Sequence, residues 1–200
     1  FIFEHPTAAS LAEVLRRLAP SRFEPVEKVA DAPDYEVSHA QRRMWVLVEM
    51  GGRYSMPGAV RLRGYLDLGR LRRALRQVVE RHEILRTRFC PAGADLRQRV
   101  EPDATVDFRV WDLQGATDPV AQATDLMLDA AGEAFDLERG PLARVLLLEL
   151  AAQDQVLMLV LHHIVGDGHS IELLLRETLT FYGGGELPAL QLQYRDYAAW

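Results

Sequence analysis

Residues 144–150 and 155–162 are apolar at nearly every position, and Ala151, Ala152, Gln153 and Asp154 separate them. Runs of this length around a short polar turn predict two strands of an antiparallel hairpin, and the lack of apolar/polar alternation predicts cover on both faces. Alternation does occur over residues 59–65 and predicts a strand, after which Leu68, Leu71, Leu75, Val78 and His82 recur at the spacing of one helix face. Further strands are predicted over residues 84–89, 96–101 and 106–110, while Val120, Ala123, Met127 and Ala130 mark a helix running toward Phe135. Beyond the hairpin, Ile171, Leu174, Leu175 and Thr178 predict a helix that Ser170 can cap. The order of elements is mixed α/β.

Near the start, Leu11, Val14, Leu15 and Leu18 share one face of a helix with Thr7 as its expected cap. So short a helix is marginal alone. Phe1, Ile2 and Phe3 offer no plausible start, so residues 1–19 are expected to be the end of another domain. Residues 20–34 carry Pro20, Pro25 and Pro33 among charged and small residues and read as a linker. Residues 35–200 form a second unit without a comparable break, and the aromatic-rich end at residues 193–200 is expected to stop in mid-architecture.

Two hundred residues suit one ordinary domain or part of a larger one. A net charge of -6, with arginines interleaved among acids, argues against nucleic-acid binding. The arginines at 61–63 and 70–76 read as solvated faces of amphipathic elements. The single cysteine, Cys90, cannot form an internal disulfide, there is no signal-type leader, and no apolar run approaches the roughly 18 residues of a membrane span. A cytoplasmic protein without membrane partners is expected.

Chemistry concentrates at His162-His163-Ile164-Val165-Gly166-Asp167-Gly168, where a buried strand must turn sharply into a helix. Neighbouring side chains on a strand point to opposite faces, so the two histidines are not expected to share a role. The same geometry makes them poor co-ligands, and no metal site is expected of His162, His163, Asp167 and His169. Gly183, Gly184 and Gly185 lack the lysine and helix start of a phosphate loop and read as a flexible loop after the helix. His39 and His82 show no specific partner, and Trp45, Trp111 and Trp200 read as core or interlobe anchors.

Residues 162–168 resemble the His-His-x-x-x-Asp-Gly signature of nonribosomal peptide synthetase condensation domains, members of the chloramphenicol acetyltransferase-like superfamily. Three further stretches match that family in order and approximate spacing: Ser38-His39-Ala40-Gln41-Arg42-Arg43-Met44-Trp45, Arg81-His82-Glu83-Ile84-Leu85-Arg86-Thr87-Arg88-Phe89, and Tyr194-Arg195-Asp196-Tyr197-Ala198-Ala199-Trp200. The resemblance covers residue 35 to the end and corresponds to the amino-terminal one of two similar lobes. Phe3-Glu4-His5-Pro6-Thr7, with Ser10-Leu11-Ala12, resembles the last helix of a peptidyl carrier protein.

The resemblance implies an α/β lobe with a mixed central sheet and packed helices. It implies amide formation in which an acceptor aminoacyl amine attacks a donor thioester, both held on 4′-phosphopantetheine arms of carrier proteins, with the attachment serine outside this chain. Partners would be an upstream donor carrier, a downstream acceptor carrier, an adenylation domain of the same synthetase and a second condensation lobe, in antibiotic or siderophore assembly. The isolated piece is expected to be inactive. Among site residues, His163 is expected to orient the amine and hydrogen-bond the tetrahedral species, and the amide of Gly168 to face the developing oxyanion. His162 and Asp167 would be structural, with Asp167 paired to Arg86 or, second, Arg81. Alternatives are an epimerisation domain and a catalytically inactive recruitment module; the second and fourth motifs favour condensation over the first, and the retained histidines argue against the last.

Overall fold

The computed structural model describes residue 4 and residues 6–17, 24–93 and 95–200. In chain order the elements are α1 (Ala8–Arg17), β1 (Tyr35–Glu36), α2 (His39–Glu49), β2 (Ser55–Arg63), α3 (Leu68–Arg81), β3 (Thr87–Ala92), β4 (Asp95–Val100) and β5 (Asp107–Asp112). They continue with α4 (Pro119–Gly132), β6 (Ala143–Ala151), β7 (Asp154–His162), α5 (Gly168–Tyr182) and α6 (Tyr194–Ala199).

The apolar hairpin is β6–β7, antiparallel and central in a four-stranded sheet of order β2-β7-β6-β5. β2 adds to β7 antiparallel, whereas β5 pairs with β6 in parallel through the crossover helix α4, which makes the sheet mixed. A smaller antiparallel sheet, β1-β4-β3, lies apart. Cover on both faces of the hairpin has a simple origin in the two-residue period of a strand. Leu157, Leu159 and Leu161 join a core with Leu71 and Val78 of α3 and Leu174 of α5. Met158 and Val160, one position out of phase, join a separate core with Ala123 and Ala130 of α4. Burying each such large aliphatic side chain contributes about 1.5–3 kcal/mol. One stretch of sequence thereby stabilises two layers.

Three expected boundaries change. The strand expected over residues 84–89 starts at Thr87, because Glu83–Arg86 form a single 3-10 turn. The Leu85 amide donates to the His82 carbonyl at 3.0 Å, and the turn delivers Leu85 into the core, so burial overrides the β-like composition. The strand expected over 59–65 begins earlier, at Ser55, and tolerates Pro57 because β2 is a sheet edge. The cap of α5 is Asp167, with Ser170 three residues on completing a capping box.

α5 lies unusually close to β2. A Cβ placed on Gly58 would stand 2.4 Å from Cγ2 of Ile171, so glycine sets the height at which the first turn of α5 crosses the sheet. α1 begins after Thr7, whose hydroxyl accepts from the Ser10 amide at 3.2 Å, and Leu11 and Val14 are half-buried. Leu18, the residues Phe1 to Phe3, His5, Ala19 and Pro20 lie outside the described residues. Residues 24–34 form no helix or strand, yet they are tied down: the Val29 amide donates to Asp196 Oδ1 at 2.9 Å, and the Ala32 amide to the Tyr35 hydroxyl at 3.0 Å. Among the described residues no helix is long and apolar enough to cross a membrane.

Candidate active site

The histidine pair inherits the alternation of β7. His162 continues the even-numbered series toward the α4 side, where it is 4 % exposed and meets the Phe135 ring edge-on at 6.0 Å between centroids. Its Nδ1 accepts the Ile164 amide at 3.1 Å, so the proton of the neutral ring sits on Nε2. Burial, with the nearby His163 as a smaller cause, pushes its pKa down to about 4. A ring held neutral among apolar neighbours packs the corner.

His163 takes the other side and is exposed. Its backbone amide donates to the Tyr54 carbonyl at 2.8 Å, extending the β2–β7 ladder by one bond beyond the strand. Its Nδ1 lies 2.8 Å from the Gly166 carbonyl oxygen. A carbonyl can only accept, so Nδ1 carries the hydrogen and Nε2 of the neutral ring keeps a free lone pair. Gly166 fits tightly: a Cβ there would meet Leu161 Cδ1 at 3.0 Å and Ser170 Cβ at 3.1 Å. The turn thus brings a carbonyl back onto the ring that left the strand three residues earlier.

Among the described residues Asp167 meets no arginine, which corrects the expected pairing with Arg86 or Arg81. Its Oδ1 accepts from the Ser170 amide at 2.8 Å and the Ser170 hydroxyl at 2.7 Å, bonds that hold its pKa below the ordinary carboxylate range. Arg86 instead donates to the Val79 carbonyl at 3.1 Å and the Glu80 carbonyl at 3.2 Å, closing the carboxyl end of α3. Arg81 reaches Glu177 of α5 at 3.2 Å and the Pro188 carbonyl at 2.6 Å. Arg86 is taken up by carbonyls of α3 and Arg81 by Glu177 of α5 and the Pro188 carbonyl, while Asp167, exposed at the start of α5, is satisfied by Ser170. Gly168 is the first residue of α5, where an amide has no partner within the helix.

His163 and Asp167 open onto a cavity of about 460 Å³ with Met44 of α2, Leu190, Leu192 and Tyr194 among its walls. The Tyr194 hydroxyl lies 3.0 Å from that of Ser38, joining the first and fourth motifs at the rim. His82 also lines this cavity and has a partner that its sequence environment does not reveal: its Nε2 lies 2.6 Å from Oε2 of Glu177, a carboxylate only 6 % exposed. The available signal was Glu177 itself, an acid beside Leu174 and Thr178 on the buried side of a helix. Trp45 packs against the core, but Trp111 and Trp200 are exposed and are not core residues of this lobe. Among the described residues, no group of three or more His, Cys, Asp or Glu side chains is placed to hold a metal ion.

A mixed sheet delivers one histidine into packing and its neighbour into a cavity at a strand-to-helix corner, and this architecture matches the chloramphenicol acetyltransferase-like fold that the sequence resemblance implies. The chain belongs to the condensation domain family, whose model matches residues 32–200. Over 202 residues it is 40 % identical to tyrocidine synthase 3 of Brevibacillus parabrevis, and over 203 residues 36 % identical to a plipastatin synthase subunit of Bacillus subtilis (strain 168). Both alignments cover the whole chain, which spans 3 % and 8 % of those relatives. Its fold is similar to that of the starter condensation domain of rhizomide synthetase RzmA, with a TM-score of 0.73 and 26 % identity across 80 % of this chain and 40 % of that one.

Proposed function

We propose that this chain is the amino-terminal lobe of a condensation domain that forms peptide bonds in a nonribosomal peptide synthetase. In this reading α1 ends the upstream donor carrier, residues 20–34 link it to the lobe, and an acceptor carrier, an adenylation domain and a second lobe belong to the same assembly. The observation that carries the reading is the hydrogen bond from His163 Nδ1 to the Gly166 carbonyl, which leaves Nε2 as an acceptor beside a largely apolar cavity. Those walls suit an alkyl thioester, which the 4′-phosphopantetheine arms of the carriers supply.

The acceptor nitrogen attacks the donor carbonyl carbon, the C–N bond forms, and the C–S bond breaks as sulfur leaves with the electron pair and takes up a proton. An α-amine has a free pKa of about 8, so a useful fraction is neutral near pH 7 without a strong base. His163 Nε2 accepts an N–H of that amine, orienting its lone pair and relieving the positive charge that develops on nitrogen. Orientation of two bound reactants can account for roughly 7–11 kcal/mol of barrier. The Gly168 amide, at the positive end of α5, would donate to the developing oxyanion.

In the full-length parent with both carriers loaded, His163→Ala should slow amide formation by about 100-fold or more while leaving the fold intact. Unchanged yield from a folded variant would refute the assignment. Inversion of the donor stereocentre without a new amide would instead identify an epimerisation domain.

A further inference from the structure

Glu83 of the second motif and Arg195 and Asp196 of the fourth do not line the cavity; they gather around residues 29–35. Asp196 is 1 % exposed and divides its carboxylate between two amides: Oδ1 accepts from Val29 at 2.9 Å, and Oδ2 accepts from Gln193 at 2.7 Å, which closes the start of α6. Arg195 is also buried. Its guanidinium lies over the Tyr35 ring at 4.6 Å and donates to the Tyr35 hydroxyl, Nη2 donates to Asp31 at 2.8 Å, and Nε stands 3.1 Å from Glu83 Oε2. The Tyr35 hydroxyl also accepts the Ala32 amide. Gln193 completes the ring by accepting the Glu83 amide at 3.1 Å and donating to the Arg81 carbonyl at 3.0 Å.

From this geometry we propose that Arg195 and Asp196 form a clamp for the segment entering the lobe, and that this clamp fixes the point from which the upstream domain is tethered. Without it the chain between Arg17 and Tyr35 comprises residues 18–34; with it, the stretch ahead of the first anchored residue is 18–28. At about 3.3–3.6 Å per residue the maximum span falls from about 60 Å to about 40 Å. Tether origin moves as well, from β1 to α6, whose Tyr194 forms part of the rim of the reaction cavity. The clamp therefore restricts where a tethered thioester can be delivered, and it explains why a buried arginine and a buried aspartate sit on a short helix that contributes no reacting group.

This inference rests on the reading of α1 as the end of the donor carrier, and the test separates the two. Lys28 is the sole basic residue of segment 24–34, and the bond trypsin would cut carries the Val29 amide held by Asp196. Asp31→Ala, alone and with Ala32→Pro, removes one and then two anchors at exposed positions outside the core of the lobe. In the full-length synthetase, trypsin should cleave after Lys28 at least severalfold faster in the double variant. Condensation of a donor loaded on the upstream carrier should fall by up to about twofold, the limit that release of Val29 and lengthening of the tether from residues 18–28 to 18–34 sets through the inverse three-halves power of its length. A donor supplied as a small soluble thioester should react at the unaltered rate. Unchanged cleavage after Lys28 would overturn the clamp, and an equal fall with both donors would overturn its tethering role. Faster cleavage in a parent that lacks any upstream carrier would retain the clamp and refute the reading of α1.

Discussion

Two adjacent imidazoles at this corner experience opposite surroundings, and the contrast is measurable. His162 is neutral in the fold down to about pH 4, whereas an unfolded histidine gains its proton near pH 6.5. Between these values the unfolded chain binds more protons, so stability falls as pH drops from about 6.5 to about 4 and is fully present above that window. The contribution is on the order of 3 kcal/mol. Urea unfolding at pH 7 and pH 4.5 should therefore show a clearly smaller acid loss in His162→Asn than in the parent chain; equal slopes would contradict the buried, neutral ring. Asp167 presents the reverse case. As an exposed cap it should cost about 1 kcal/mol when changed to alanine, with Asp167→Ser recovering most of the loss. Had it been a buried partner of Arg86 or Arg81, removal would cost about 3–5 kcal/mol, and denaturant midpoints distinguish the two values readily.

Among the elements, α5 has the most exacting placement, because it carries Asp167 and Gly168 to the corner and packs on β2 with no space beneath Ile171. Gly58→Val should force Ile171 outward and destabilise the chain by about 1–3 kcal/mol. In the parent synthetase the same change should lower amide formation, because the first turn of α5 moves relative to His163. Shortening the opposing side chain, in Gly58→Val with Ile171→Ala, should recover part of the activity; no recovery would mean that the contact does not govern the corner. The periodicity of Ile171, Leu174 and Thr178 predicts the buried face of α5, but Gly58 carries no such signal. A glycine in an alternating strand reveals a close approach only when the opposing helix is known.

At the scale of the molecule, Glu177 links α3 to α5 through Arg81 and His82. Glu177→Ala would leave the largely buried Arg81 without its carboxylate and should cost about 3–5 kcal/mol, whereas Glu177→Gln, which keeps an acceptor, should cost less. Thermal or chemical unfolding of the two variants gives the comparison, and equal losses would show that charge is not what matters there. Much of the architecture was legible from residue order. The apolar hairpin, the helix faces of α3 and α5 and the opposite orientations of His162 and His163 all follow from local periods of 2 and 3.6 residues, which act within a few positions. Partners of charged groups were not legible. Arg81 and Arg86 offer the same guanidinium to any nearby acceptor, His82 meets a carboxylate 95 positions away, and Asp196 holds an amide 167 positions away. By itself the sequence determined the family, the sheet that buries one histidine and the neighbour that faces the cavity. Tertiary structure alone decided which carboxylate each arginine meets and that residues 29–32 are held by Tyr35, Arg195 and Asp196, because those choices depend on distances set by the packing of whole elements.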